Sequence, residues 1–350
     1  MPQTLAGAIR TALLTRTGFD FRAFSAARRQ GSNADPDALK QVLRAGHADE
    51  RIIAARFLGP WPCLFPQTKH RQPVPLFRQP LDLLKRKDSA EFVRLRVRRE
   101  PLAGWDDADG LLPLVCESDT DSKAAFKLFS LPAVRAYLHG QLHFDTAELF
   151  EPGDVYGFEN RTGIGIDAQT LSAADSMIYG VRFLTLKRRL ASDKKHGGYA
   201  HAETGLYAEI HCDIARPDLK KLLTEPIPLG GEGRYVKVTA IDPVAWPIRS
   251  LQDSKTKWLL TAPAFLPRSA KSQRPLPAIA GLTAARSDAG VAVSGWDVAR
   301  NGPRPTRFAI PAGAVYYFDG PGPTDGFLGG SDDEKAEGWG FALPGRWEDK

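Results

Sequence analysis

The chain of 350 residues has few cysteines and no long apolar run, and both shortages narrow the class of protein. Its three cysteines, Cys63, Cys116 and Cys212, are far apart and odd in number, which excludes a disulfide scaffold and paired zinc-ligand spacing. No apolar run approaches the length of a membrane span. We therefore expect a cytoplasmic protein with free thiols, no membrane partner, no metal and no other cofactor.

Positive charge is concentrated near the start of the chain. The net charge is +6, but residues 1–100 carry 19 Lys/Arg against 9 Asp/Glu, whereas residues 101–350 carry 28 against 32. A basic first third is typical of a protein that binds a polyanion such as nucleic acid. A solvated basic surface would give the same count, so charge alone leaves both interpretations open.

A glycine-rich stretch at residues 228–234 is the most informative local pattern. Gly230, Gly231 and Gly233 surround Glu232, and Arg234 follows directly. Successive backbone N–H groups in such a loop can bind an anion, and an arginine adds a bidentate phosphate contact. The spacing fits neither a Walker loop nor a dinucleotide fingerprint. The alternative is a mobile surface turn. Glu232 is expected to accept from a base amino group or from the Arg234 guanidinium, and the alternative for it is that it caps the loop's own amides.

Three further arginine features are candidates for RNA contact. The segment 159–167, predicted as a loop, holds Arg161, Thr162, Gly163 and Gly165, although Arg161 could instead pair with Asp167. Arg10 lies on a predicted helix over residues 4–14, facing either RNA or solvent. A predicted strand over 91–99 alternates valine and leucine with Arg94, Arg96 and Arg98. Its arginine face could bind phosphates or simply protect an edge strand.

The predicted elements follow an order that lacks one strand. Thr4 caps the first helix, and further helices are predicted at 36–45, 132–141 and 217–223, with later strands at 177–186, 204–214 and 234–240. Residues 51–81 hold six prolines, which favour irregular or edge strands. One strand before the first helix would complete a βαββαβ order and cover the apolar face of that helix. We therefore expect that the true reading frame opens upstream of Met1.

Six short segments resemble, in order, a known family. They are Thr-Leu-Ala-Gly-Ala-Ile-Arg at 4–10, Arg-Thr-Gly-Ile-Gly-Ile-Asp at 161–167, Leu-Gly-Gly-Glu-Gly-Arg at 229–234, Ser-Gly-Trp-Asp at 294–297, Pro-Ala-Gly-Ala-Val-Tyr-Tyr-Phe at 311–318 and Glu-Gly-Trp-Gly-Phe at 337–341. Together they resemble the third subunit of the Cmr complex, the type III-B CRISPR effector, within the repeat-associated mysterious protein (RAMP) superfamily. The family usually begins with a strand and a Phe-Arg-Asp-like turn, which this sequence lacks.

The resemblance implies a fold and a function. The fold would be α+β with two ferredoxin-like, RRM-like RAMP domains, at 1–242 with an insertion at about 15–150 and at 243–350. The protein would be a non-catalytic antiviral subunit that binds the 5′ repeat-derived tag of the CRISPR RNA and contacts the large polymerase/cyclase-like subunit and the backbone subunit. The residues expected to bind RNA are Arg10, Arg161, Thr162, Gly163, Gly165, Gly230, Gly231, Glu232, Gly233 and Arg234.

Two other functions remain open at this point. A RAMP-type endoribonuclease that processes CRISPR RNA would need an early histidine, for which His47 and His70 are the candidates. A protein scaffold would use its glycine loops to bind an acidic partner. His139 and His143 lack a third metal ligand, residues 107–110 lack the terminal glutamate of a calcium loop, and Trp339 is predicted to pack in the core rather than stack on a base.

Overall fold

The structure, a computed structural model, describes residues 1–30, 43, 46–66, 72–87, 89, 91–116, 122–124, 126–167, 169–190, 198–231, 233–247, 255–297 and 302–347. Glu232, His70 and the predicted helix at 36–45 except Leu43 lie outside these residues. The same holds for residues 193–197, between the predicted strands 177–186 and 204–214, where the sequence predicts a mobile hairpin tip with Lys194, Lys195 and His196. The helices are α1 Pro2–Arg16, α2 Phe21–Gln30, α3 Glu50–Ile53, α4 Leu131–Leu138, α5 Pro152–Val155, α6 Arg216–Leu222 and α7 Asp332–Glu337. Among the described residues, none of these helices could cross a membrane.

The strands in the first two thirds of the chain are β1 Arg56–Phe65, β2 Val74–Arg78, β3 Leu83–Arg86, β4 Phe92–Arg94, β5 Arg96–Val97, β6 Leu114–Val115, β7 Ser122–Ala124, β8 Leu128–Ser130, β9 Leu149–Phe150, β10 Tyr156–Ile166, β11 Ala173–Leu186, β12 Glu203–His211, β13 Ile227–Pro228 and β14 Tyr235–Val236. The last third contributes β15 Thr256–Leu260, β16 Leu282–Arg286, β17 Val291–Val293, β18 Trp296–Asp297, β19 Gly302–Pro303, β20 Arg307–Ala309, β21 Val315–Phe318 and β22 Ala342–Arg346. Mixed helices and antiparallel sheets confirm the α+β class.

The first large sheet has the order β12-β1-β2-β8-β9 and is antiparallel throughout. β1 pairs with β12 from Arg56↔His211 to Phe65↔Glu203, with a bulge between Leu58 and Trp61. It pairs with β2 only near Cys63 and Leu64. The prolines of β1 therefore lie where this strand is hydrogen-bonded to a neighbour on one side alone. Proline, which has no backbone N–H, is accepted at such positions.

The first helix is covered by elements of this chain. Its apolar stripe, which includes Leu5, Ile9 and Leu13, is buried against β1, β13 and neighbouring helices. The premise that this helix face lacks a sheet is therefore wrong. The Thr4 cap is also wrong, because the helix begins one turn earlier, with Pro2 in its first turn and Met1 as N-cap without a side-chain hydrogen bond.

The second large sheet has the order β16-β21-β15-β22, and every adjacent pair is antiparallel. Taken in chain order, its first and third strands are central and its second and fourth are at the edges, which are the neighbour relations of a ferredoxin-like sheet. All residues of β15 and β21 are buried. Ser331 and Glu334 form a capping box at the start of α7, which precedes the edge strand β22.

One hydrophobic core joins the two large sheets. Trp61 of β1 packs in the same cluster as Leu259 of β15 and Leu343 of β22. Its indole Nε1 donates to the carbonyl of Thr261 at 2.9 Å. The boundary at 242/243 stays a prediction, but the side chains on either side of it share this core.

Three predicted elements differ from the structure. Residues 159–167 lie mostly in strand β10 rather than in a loop, and β11 pairs with β10, not with β12. The predicted strand over 234–240 is reduced to Tyr235–Val236. The strand over 91–99 breaks at Leu95. The break ends the regular alternation, and Arg94 turns toward buried Asp82 instead of lying on an outward arginine face.

Candidate functional site

Strands β10 and β11 form a two-stranded arm that carries one of the predicted arginines. Their register runs from Tyr156↔Leu186 to Ile164↔Ile178. Directly opposed residues in an antiparallel pair lie on the same face. One face, which we call the arginine face, therefore carries Glu159, Phe183, Arg161 and Tyr179. The other carries Thr162, Ile164, Ile166 and Ile178, and its three isoleucines are exposed.

The two glycines of the arm are sites of close side-chain approach. A Cβ atom on Gly163 would lie 2.3 Å from Cζ of Tyr179, and one on Gly165 would lie 2.7 Å from Cβ of Met177. Both side chains cross from β11 and lie over the bare backbone of β10. Such cross-strand cover lets glycine persist inside a strand, which explains why Gly-Ile-Gly forms a strand here although it was predicted as a loop.

Arg161 and Arg234 converge on the same two side chains. Arg161 Nε lies 2.7 Å from one carboxylate oxygen of Glu159, and Arg234 Nη2 lies 3.2 Å from the other. The guanidinium carbon of Arg234 lies 3.9 Å from the ring centroid of Phe183, and that of Arg161 lies 5.6 Å from it. The structure therefore joins two predicted RNA-binding arginines, 73 positions apart in the sequence, at one carboxylate and one ring.

This cluster is exposed and carries excess positive charge. The side chains of Arg161, Glu159 and Arg234 are 58%, 43% and 30% exposed. The hydrogen bond from Arg161 is the largest cause that lowers the pKa of Glu159, and Arg234 adds to it. Two arginines share one carboxylate, and exposed ion pairs of this kind contribute little to stability. The guanidinium groups can therefore exchange Glu159 for another anion at small cost.

The glycine loop is the turn of a second, short hairpin. β13 and β14 pair at Pro228↔Tyr235, and the Leu229 amide donates to the Arg234 carbonyl at 2.9 Å. Gly230 and Gly233 have φ of +79° and +63°, values that side chains other than glycine rarely adopt. No described atom lies within 4 Å of a Cβ built on Gly230, Gly231 or Gly233. The turn thus leaves its backbone accessible beside Arg234.

Two further predicted RNA contacts, Thr162 and Arg10, lie apart from this cluster. Thr162 is on the opposite face of the arm. Arg10 donates to the Ala55 carbonyl at 2.8 Å and lies 5.0 Å from the ring centroid of Phe57, and burial lowers its pKa. Arg10 therefore fixes α1 to the end of α3 and to β1. The RNA contacts of Arg10, Thr162, Glu232 and all the other predicted residues stay predictions.

The weaker enzyme candidates gain no support from the geometry. Within the described part of the chain, no group of three or more His, Cys, Asp and Glu could hold a metal ion. Arg274 Nη2 lies 2.7 Å from carboxylate oxygens of both Asp107 and Asp109, so it already neutralises the pair once compared with a calcium loop. His47 is exposed at a turn.

Trp339 is buried against Phe265, as predicted. All three cysteines are described, and none is in a disulfide.

Two residues of the cluster were not predicted as site residues, namely Glu159 and Phe183. Glu159 stands two positions before Arg161 in the sequence, so a period-2 pattern would have placed both on one face once this segment was recognised as a strand. Phe183 opposes Glu159 across the arm. Its contact with Arg234 depends on how the glycine hairpin packs beside the arm, and no local pattern reports that.

The α+β fold and the exposed arginine cluster are compatible with an RNA-binding subunit, and comparison with known families gives a definite class. A family model described as "CRISPR-associated protein (Cas_Cmr3)" matches residues 1–347. The chain belongs to this family of CRISPR-associated proteins. The resemblance to the third subunit of the type III-B Cmr complex is thereby confirmed.

Two solved structures are similar to this chain over most of its length. They are described as "Cryo-EM structure of the Type III-B Cmr-beta bound to cognate target RNA" and the same assembly bound to "cognate target RNA and AMPPnP, state 1". Each has a TM-score of 0.45 and 15% sequence identity, over 90% of this chain and 74% or 76% of the matched chain. No protein of curated function matches the sequence.

Proposed function

We propose that this chain is the non-catalytic subunit of a type III-B CRISPR effector that holds the 5′ repeat-derived tag of the CRISPR RNA. The observation that supports this most directly is the convergence of Arg161 and Arg234 on Glu159 and Phe183, beside an accessible glycine turn. Single-stranded RNA is bound by arginine contacts to phosphates and by stacking of splayed bases on planar groups. The cluster supplies both kinds of group.

Each residue has a distinct proposed role. Phe183 supports one face of the Arg234 guanidinium, whose outer face can stack on a base while its N–H groups contact phosphate. Arg161 supplies a second phosphate contact. The backbone amides of the glycine turn cover further phosphate oxygens. Glu159 holds both arginines in position in the absence of RNA and is displaced when phosphate binds.

The proposed assembly includes the large polymerase/cyclase-like subunit and the backbone subunit, in the cytoplasm, with two ferredoxin-like RAMP domains in this chain. The strand order of the second large sheet supports the domain proposal. The isoleucine side of the arm supports the assembly, because Ile164, Ile166 and Ile178 form the kind of exposed apolar surface that partner subunits cover.

The test measures binding of guide RNA with the native or a scrambled 5′ tag to the chain co-expressed with its large partner. Arg234→Ala should weaken native-tag binding by about tenfold or more and reduce the salt slope by about 0.7 per lost phosphate contact. Glu159→Gln should strengthen binding, because it removes a competing carboxylate. Arg216→Ala is the matched control, since Arg216 is exposed and pairs with Asp242.

Equal binding of both tags by wild type, or equal losses in Arg234→Ala and Arg216→Ala, would contradict the proposal. The same preparations incubated with a repeat-containing precursor RNA test the non-catalytic part. Cleavage that disappears in a His47→Ala/His70→Ala variant would instead support the endoribonuclease.

A further inference from the structure

A second basic site lies in a cavity that shares no residue with the arginine cluster of the arm. The cavity has a volume of about 440 Å³ and lies between the β4–β5 segment, the end of α4 and the ends of β21 and β22. That volume is within the range of about 300–1,000 Å³ that small-molecule sites occupy. Three of its ten described lining residues are arginines, Arg94, Arg96 and Arg346, and no acidic side chain is among the ten.

A buried polar network adjoins the cavity through two of its lining residues, Arg94 and Tyr317. Asp82, which is fully buried, accepts hydrogen bonds from the hydroxyls of Tyr137 at 2.8 Å and Tyr317 at 2.6 Å. Lys257, also fully buried, donates to the Tyr137 carbonyl at 3.1 Å and lies 3.8 Å from its ring centroid. These residues come from four separate segments, so the network joins several elements beside the cavity.

Arg94 connects this network to the cavity. Its Nε lies 3.9 Å from Asp82, which is an ion-pair contact but too long for a hydrogen bond, and its Nη2 reaches the Tyr137 carbonyl at 3.4 Å. The Nε atom is buried without a hydrogen-bond partner. Arg94 is therefore held at the edge of the network with a buried donor unused, and together with Arg96 and Arg346 it gives the cavity an excess of positive charge that favours an anion.

From this geometry we infer that the cavity binds a phosphate group of a small phosphorylated compound. Arginine forks match phosphate oxygens in a bidentate manner, and a site held by a buried network is preorganised for a compact, highly charged ligand. The indole ring of Trp347, which lines the cavity, packs edge-on against the ring of Tyr317. Lys255 and Arg99 place their charged groups near the same indole ring. Its faces are therefore next to cations rather than open to a base, which favours recognition of phosphate over recognition of a nucleobase.

The test uses the full chain with inorganic pyrophosphate as the probe, measured by titration calorimetry. Wild type should bind pyrophosphate, and an Arg96→Ala/Arg346→Ala variant should bind it at least about tenfold more weakly. Both arginines are exposed at the rim, and the melting temperature of the variant is measured beside its affinity to separate loss of binding from loss of folding. Arg216→Ala serves as the matched control and should bind like wild type.

Competition assays identify the source of the phosphate. Displacement of pyrophosphate by ATP, but not by a single-stranded RNA, supports a free small phosphate compound, whereas displacement by RNA supports the same site with the phosphate on RNA. Absence of pyrophosphate binding at millimolar concentration, or equal weakening in Arg216→Ala, would overturn the inference. The tag-binding proposal is independent, since it is tested through Arg161, Arg234 and Glu159.

Discussion

The cluster around Glu159 and the network around Asp82 contain the same parts in different surroundings. Each places an arginine against a carboxylate and an aromatic ring: Arg234 with Glu159 and Phe183, and Arg94 with Asp82 and Tyr137. The side chain of Glu159 is 43% exposed, whereas that of Asp82 is 0% exposed. Water can replace any partner in the first case but not in the second, so the first suits exchange of ligands and the second suits fixed geometry.

The largest effect expected from this comparison is on folding. Asp82→Asn should lower the free energy of unfolding by about 3–5 kcal/mol, because Arg94 would lose the buried carboxylate beside it. Urea denaturation followed by tryptophan fluorescence measures the loss. Glu159→Gln is the matched control and should shift the denaturation midpoint far less, because exposed ion pairs contribute little to stability. Equal midpoints for the two variants would show that burial does not separate the two clusters.

An intermediate effect is expected in the glycine turn beside the exposed cluster. Gly230→Ala should lower the free energy of unfolding by about 1–2 kcal/mol, because alanine is strained in the left-handed conformation. Gly231→Ala should lower it little, since the φ of Gly231 is not in that region. No described atom crowds either position, so backbone conformation is the only difference. Thermal denaturation of both variants tests this, and a larger loss in Gly231→Ala would contradict it.

The smallest effect is a titration within the exposed cluster. The pKa of Glu159 is below its ordinary value mainly because Arg161 donates to it. A depressed folded-state pKa contributes stability above the unfolded-state pKa, and that contribution is lost as pH falls through the folded value. NMR titration of the Glu159 carboxyl carbon should show a higher pKa in Arg161→Ala than in wild type. An unchanged pKa would mean that Arg161 does not hold this carboxylate in solution.

Sequence patterns predicted the exposed cluster better than the buried network. Arg161 and Arg234 were predicted because an arginine beside glycines can bind an anion whatever fold surrounds it. Arg94 was assigned to an outward face because simple alternation ignores the break at Leu95. Asp82, Tyr137, Lys257 and Tyr317 are separated by long stretches of chain, so their meeting depends on packing of both sheets and no short pattern contains it. Helix α1 was predicted close to its observed bounds because the spacing of its apolar residues is a pattern contained within the helix itself.

The core shared by the two large sheets also affects how the chain is made. Trp61 emerges from the ribosome long before Leu343 and Trp347, yet all three pack in one cluster. Strand β22, which supplies Leu343, completes the sheet beside β15 near the end of translation. The apolar side chains of the early segments therefore stay unburied until then. A nascent chain in this state is prone to aggregate and to bind chaperones. Polypeptides that end before residue 342 would leave this core incomplete, because they lack Leu343 and Trp347.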